Sequence, residues 1–218
     1  VKLTPEVKKL FKSGEITYQS VTSMKAIKAL DVADGNRVLD LCSAPGGKSV
    51  LISELNPSGS VVACDLYPHR IELVAGYAKR MNAKNIETEI LDATIYEHKF
   101  LNGFDRVLVD APCSALGVTR KEPDILLNRK PDDIAELQRT QKLILSNAAK
   151  YLRRGGTLIY STCTFTKEEN SEVIADFLLH NEDFALKSIE GERANDGTLQ
   201  FYPKDEIDGF FIAKTVKR

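Results

Sequence analysis

Asp40-Leu41-Cys42-Ser43-Ala44-Pro45-Gly46-Gly47-Lys48-Ser49 follows the short apolar run that opens at Arg37-Val38-Leu39. A strand, a tight Pro-Gly-Gly turn and a helix start are expected in that order. The glycines let the backbone approach a ligand closely, and the helix N-terminus can meet a carboxylate. A Walker A loop would need glycine where Cys42 stands, so the phosphate cradle is incomplete. A dinucleotide fingerprint would need G-x-G-x-x-G, but Gly46 and Gly47 are adjacent and no third glycine follows. Asp65 lies nineteen positions beyond Gly46, at the end of the next apolar run, where an acidic residue is placed to bind a ribose diol.

Outward from this stretch, short apolar runs alternate with helical patterns. The strand candidates are Arg37–Cys42, Ser60–Asp65, Ile86–Ile90, Phe104–Asp110 and Thr157–Ser161. Between them, Ile71, Val74, Ala75 and Ala78 mark one helix face. Ile134, Leu137, Ile144, Leu145, Ala148 and Tyr151 mark a longer one, and Val173, Ile174, Phe177 and Leu178 a third. Strands bounded by helices predict βαβ units, hence a parallel sheet covered on both faces. Gly209–Lys214 reads as a last strand, pairing antiparallel at the sheet's end. Residues 1–32 form a helical segment packing on the core, with Val21, Met24, Ile27 and Leu30 at near-helical spacing. Residues 33–218 form the α/β domain.

The 218 residues carry 30 Lys+Arg against 31 Asp+Glu, with 43% hydrophobic and 28% charged residues. That describes an ordinary globular domain and excludes a disordered or collagen-like chain. A net charge of −1 excludes indiscriminate polyanion binding while leaving room for a local basic face. No run is long enough for a membrane span or shaped like a signal peptide, so the expected location is cytoplasmic. The chain begins with Val, which suggests an excised piece with a partner domain upstream. Cys42, Cys64, Cys113 and Cys163 form no CxxC and lie far from His69, His98 and His180. Neither a metal site nor a disulfide framework is expected.

Open α/β sheets bind ligands beyond the carboxyl ends of their strands. The glycine loop, Asp65, Asp92, Asp110-Ala111-Pro112-Cys113 and Ser161-Thr162-Cys163 all fall there. A nucleoside with a carboxylate and no polyphosphate fits the first two: S-adenosylmethionine. Asp92 would accept from its adenine amino group. Adjacent strands lie under ~5 Å apart, so Cys113 and Cys163 can share a pocket. With no histidine placed as a base, acyl chemistry is disfavoured. Carbon 5 of a pyrimidine suits better. A thiolate adding to carbon 6 makes carbon 5 enamine-like, able to take a methyl from a sulfonium, while Asp110 bonds the ring's nitrogen edge. The residues alone leave open which cysteine attacks.

Asp40 to Lys48, Asp110-Ala111-Pro112-Cys113-Ser114, Arg120-Lys121-Glu122-Pro123-Asp124, Tyr160-Ser161-Thr162-Cys163 and Asp208-Gly209-Phe210-Phe211 together resemble the RNA cytosine-C5 methyltransferases of the Sun/Fmu/RsmB/NSUN family. The resemblance covers about Gly14 to Lys214. It implies a Rossmann-like class I S-adenosylmethionine methyltransferase fold, with a mostly parallel seven-stranded sheet. By this resemblance Cys42, Ser43, Ala44, Pro45, Gly46, Gly47, Lys48, Asp65, Arg70, Asp92 and Asp110 contact the cofactor. Cys163 is the nucleophile, Cys113 aids release, and Lys48 orients the base or the Asp110 carboxylate. The implied substrate is RNA, with ribosomal RNA of the 16S type ahead of tRNA. A noncatalytic RNA-binding module of the same fold is the rival reading. Arg120, Lys121, Arg129 and Lys130 are the basic stretch at the pocket rim. The chain departs from the family in having Tyr18-Gln19-Ser20 where Gln-Asp is usual. It also lacks the upstream helical RNA-binding domain of the RsmB branch, and a monomer is expected.

Overall fold

Eight strands form one sheet at the centre of the computed structural model, which describes residues 4–192, 196–204 and 207–218. Five of them, β1 (Arg37–Asp40), β2 (Ser60–Asp65), β3 (Ile86–Ile90), β4 (Phe104–Asp110) and β5 (Leu152–Thr162), lie parallel in the order β3-β2-β1-β4-β5. The register is set by Val38, which faces Val61 on one side and Arg106 on the other. β1 and β4 read as near-continuous apolar runs because helices cover both faces. Val107 and Val109 belong to one core cluster and Leu108, between them, to the other.

Past the short α5 (Asp124–Asn128), the first cluster lies under α6 (Pro131–Tyr151) and α7 (Ser171–His180), whose Ile144, Leu145, Val173 and Phe177 meet Leu39, Val107 and Tyr160. The second lies under α2 (Val21–Ala29), where Ala26, Ile27 and Leu30 meet Val38, Leu108, Ile159 and Ile52 of α3 (Gly47–Leu55). α4 (Pro68–Arg80) follows β2 and buries Ile71, Val74 and Ala78; Ala75, expected on that face, is exposed.

The last strand, β8 (Phe210–Lys217), runs antiparallel to β5, as the sequence predicted. Its far edge carries β6 (Phe184–Leu186) along one half and β7 (Thr198–Phe201) along the other. The sheet is therefore seven positions wide, and two short strands share the seventh.

α1 (Pro5–Ser13) is capped by Thr4, whose hydroxyl accepts from the Val7 amide at 3.3 Å, and ends at Gly14 in the left-handed region. The guanidinium of Arg80 lies over the Phe11 ring and donates to the Phe11 carbonyl at 2.6 Å, tying α1 to α4. The stripe expected in α2 is half right. Ile27 and Leu30 are buried, whereas Val21 and Met24 are exposed and Thr22 and Ala29 are buried instead. The helix is only nine residues long, and its apolar contacts with the core come from its C-terminal half. Just beyond it, Asp31 pairs with the fully buried Lys214 of β8 at 2.5 Å. Among the described residues no helix is long and apolar enough to cross a membrane.

Candidate active site

β1, β2, β4 and β5 all deliver functional side chains to one edge of the sheet. The glycine loop leaves β1 and is pinned to β2: the Ser43 amide donates to the Cys64 carbonyl at 2.8 Å and the Ala44 amide to Asp65 Oδ2 at 3.1 Å. Asp65 Oδ1 pairs with Arg70 Nε at 3.1 Å, and Arg70 reaches back to the Ala44 carbonyl at 3.4 Å. Gly46 has φ of 110°, and a Cβ there would stand 3.1 Å from the Val74 Cα of α4, so only glycine fits without displacement. Nε2 of the Gln19 side chain donates to the Gly47 carbonyl, which brings the N-terminal segment over the loop. Between them lies a cavity of about 220 Å³, lined by Tyr18, Gln19, Ser43, Pro45, Lys48 and Asp110 among others. The buried hydroxyl of Ser43 and Oδ1 of Asp40 have no hydrogen-bond partner.

Asp92 sits past β3, away from that cavity. Its carboxylate closes its own turn, accepting from the Thr94 amide at 2.9 Å and the Thr94 hydroxyl at 2.6 Å. Cys42, Ser43, Ala44, Pro45, Gly47, Lys48 and Asp110 line the cavity, while Asp65 and Arg70 are joined to the loop through Ala44.

At the end of β4, Asp110 accepts from Lys48 Nζ at 2.5 Å and from the Ser161 hydroxyl at 2.7 Å. Burial alone would pull the Lys48 pKa down, but the charge and hydrogen bond of Asp110 outweigh it and push it up, so Lys48 stays an ammonium. Asp40 is fully buried beneath, bonded by the Ser49 hydroxyl at 2.6 Å. Burial raises its pKa to about 7, opposed by the Ser49 bond and helped by the nearby Asp110 charge.

The Sγ atoms of Cys113 and Cys163 meet at 3.2 Å. Contact with Cys163, then burial, pushes the Cys113 thiol well above its ordinary range. Burial does the same to Cys42 and to Cys64, which makes both poor nucleophiles. The Cys163 carbonyl accepts from the Gly117 amide at 2.9 Å, and the Gly117 carbonyl accepts from the Gly209 amide at 2.9 Å. A Cβ on Gly117 would fall 2.1 Å from the Gly209 oxygen and 2.7 Å from that of Cys163, so the chains touch backbone to backbone.

The basic stretch does not present four free cations. Arg120 and Lys121 both pair with Asp208 of the Asp208-Gly209 turn, and Arg129 donates to the carbonyls of Ser114 and Cys113 at 3.1 and 3.3 Å. Sequence reasoning missed Glu169 and Asn170, which lie beneath the two cysteine loops. Their only sequence signal is an acid-amide pair ahead of a helix, which reads as an ordinary cap. It also missed the exposed rings of Phe165, two residues beyond Cys163, and Tyr202, whose centroids are 6.4 Å apart. Among the described residues no group of three or more His, Cys, Asp or Glu could hold a metal.

Residues 27–216 match the family described as 16S rRNA methyltransferase RsmB/F. A Bacillus subtilis protein named "Probable ribosomal RNA small subunit methyltransferase B" is 42% identical over 219 residues, 95% of this chain and 49% of that protein. The ribosomal RNA small subunit methyltransferase B of Klebsiella pneumoniae is 41% identical over 209 residues, 95% of this chain and 48% of that protein. The chain thus spans about half the length of the curated relatives it matches. The crystal structure of NSun6 from Pyrococcus horikoshii with SFG superposes with a TM-score of 0.85 at 32% identity, covering 96% of this chain and 55% of that one. With 190 consecutive residues inside the family match, an α/β sheet of the same architecture and the expected motifs at its strand ends, the chain belongs to the RsmB/F family of 16S rRNA methyltransferases.

Proposed function

We propose that this chain is the catalytic part of an enzyme that transfers a methyl group from S-adenosylmethionine to carbon 5 of a cytosine in RNA, with small-subunit ribosomal RNA as the substrate. The observation that carries this reading is the pair of thiols 3.2 Å apart at the ends of β4 and β5, beside the Lys48–Asp110 pair.

The residues at the loop fit S-adenosylmethionine. Two glycines open the turn, Asp65 stands at the ribose position, and the buried Asp40 Oδ1 and Ser43 hydroxyl lack partners. The SFG of the Pyrococcus relative, an S-adenosylmethionine analogue, supports the same cofactor. Cys42, Ala44, Pro45, Arg70 and Asp92 complete the proposed binding set. When bound, the cofactor supplies an electrophilic methyl.

Cys163 adds to carbon 6 of the base, forming a C–S bond and moving the ring's electron pair toward carbon 5. Asp110 and Lys48 hold the polar edge of the ring. Once carbon 5 is methylated, its proton leaves, the C–S bond breaks and the double bond returns; Cys113 acts in this release. A base must leave its stack to reach the thiol. Phe165 and Tyr202 offer exposed aromatic faces for the displaced strand. We take residues 33–218 as the catalytic domain, with α1 and α2 of the preceding segment packed on it, and infer that further RNA-binding surface belongs to the part of the longer protein that this chain does not span.

The deciding experiment uses labelled S-adenosylmethionine, ribosomal RNA and a form of the protein as long as its relatives, with the methylated atom mapped. Label on cytosine carbon 5 is expected. Label on any other atom, or none, would overturn the reading.

A further inference from the structure

Two loops meet at the thiols, and the sheet does not hold them there. The pairing of β4 with β5 ends at Asp110 and Ser161, with one more bond from the Ala111 amide to the Ser161 carbonyl at 2.9 Å. Cys113 and Cys163 lie beyond that last rung. Besides the backbone bond from Gly117 to the Cys163 carbonyl, the loops are joined through Glu169, a fully buried carboxylate just ahead of α7. Its Oε1 accepts from the Ser114 amide at 2.8 Å and from Gln141 Nε2 at 3.0 Å. Its Oε2 accepts from the hydroxyls of Ser114 and of Thr166, the latter at 2.8 Å. Four donors fill the four acceptor sites of one carboxylate. They come from the Cys113 loop, from α6 and from the segment after Cys163.

The neighbours reinforce the same junction. Gln141 also donates to the Pro112 carbonyl at 2.9 Å, and the Ser114 and Thr164 hydroxyls meet at 2.9 Å. Tyr160 donates to the Glu169 carbonyl at 2.6 Å. Asn170 accepts from the Thr162 hydroxyl at 2.6 Å and donates to the Thr164 carbonyl at 3.2 Å, bracketing Cys163 on both sides. Every residue flanking the two thiols is thus tied, directly or through one partner, to Glu169 or Asn170.

We propose that Glu169 is a positioning residue that sets the separation of the Cys113 and Cys163 thiols. This rests on the reading of those thiols as the reacting pair, and it is tested without RNA. Diamide oxidises two adjacent thiols to a disulfide: each thiol loses a proton, an S–S bond forms, and the two electrons reduce the azo bond of the reagent to a hydrazine. The rate at which the Cys113–Cys163 peptide appears, read by mass spectrometry on the intact chain, reports the thiol separation. Glu169→Gln keeps the size but turns an NH2 toward donors. It is expected to slow the cross-link about ten- to a hundredfold, the scale of an ångström of misplacement, and to slow RNA methylation in parallel. Affinity for S-adenosylmethionine should be unchanged.

Asp105→Asn is the control. That carboxylate is also buried, accepts from the Arg37 amide at 2.7 Å, and sits at the opposite end of β4. It should lower thermal stability without slowing the cross-link. Should Glu169→Gln fail to fold, Ser114→Ala removes two of the hydroxyl contacts and is expected to slow the cross-link in the same direction. A cross-link rate in folded Glu169→Gln or Ser114→Ala no slower than in Asp105→Asn overturns the proposal. A slowed cross-link, with no RNA methylation by an otherwise unaltered form of the protein as long as its relatives, would leave the positioning role standing and sink the functional reading instead.

Discussion

The sulfurs of Cys113 and Cys163 lie within 3.2 Å of each other across fifty residues of chain. Such closeness lets one thiol serve a bond made by the other, and it predicts opposite phenotypes. Cys163→Ala should abolish turnover and any covalent RNA adduct. Cys113→Ala should methylate once and release slowly, accumulating a protein–RNA species that survives denaturation. A denaturing gel with labelled RNA distinguishes them. An adduct in Cys163→Ala but not in Cys113→Ala would reverse the assignment.

Asp65→Ala should weaken S-adenosylmethionine binding by roughly 1–3 kcal/mol, the cost of leaving partners unsatisfied. The Ala44 amide and Arg70 both lose an acceptor, so the loop itself loosens. Calorimetry with the cofactor or its demethylated product is the measurement. Unchanged affinity in a folded variant would remove Asp65 from the site.

Asp40 makes stability depend on pH in an unusual direction. Its folded pKa of about 7 lies above the ordinary 3.8, so the native state holds a proton that the unfolded state has lost. The resulting stabilisation is complete below pH 3.8 and lost as pH rises through 7. Asp40→Asn, which stays neutral, should therefore gain on the wild type by on the order of 2–3 kcal/mol between pH 5 and pH 8, at about 1.4 kcal/mol per pH unit. Urea denaturation of both proteins without cofactor checks this. A gap that does not change with pH would mean that Asp40 does not titrate in that window.

The sheet and its reactive edge were legible because β1, β2, β4 and β5 are largely buried and each ends in a polar residue, so apolar runs and their stops coincide with strand ends. Asp110 and both cysteines sit where that pattern placed them. β6 and β7 escaped because strands of three and four residues on an edge carry too little period to read. Val21 and Met24 match the helical spacing but face outward, since helix period alone does not say which half of a short helix docks. Glu169 was illegible for a different reason. Its partners Ser114 and Gln141 lie 55 and 28 positions away, and only the fold brings them together.

The chain by itself should bind cofactor but methylate naked RNA poorly. Its net charge is −1, and Arg120, Lys121 and Arg129 are engaged by the protein itself. Phosphate contacts that supply affinity must come largely from elsewhere. A form of the length of its relatives should show both tighter RNA binding and a steeper salt dependence. Equal activity of the two forms would prove this wrong.

β8 also governs how the chain is made. Synthesis runs from the N-terminus, so β5 is complete well before the strand that pairs with it. Until then its outer edge, with Leu158, Ile159 and Tyr160 beside it, is an open template for a second nascent chain. The segment that closes this edge also places Gly209 against Gly117 and seats Lys214 on Asp31. Formation of β8 therefore removes this open edge and completes the reactive centre in the same step.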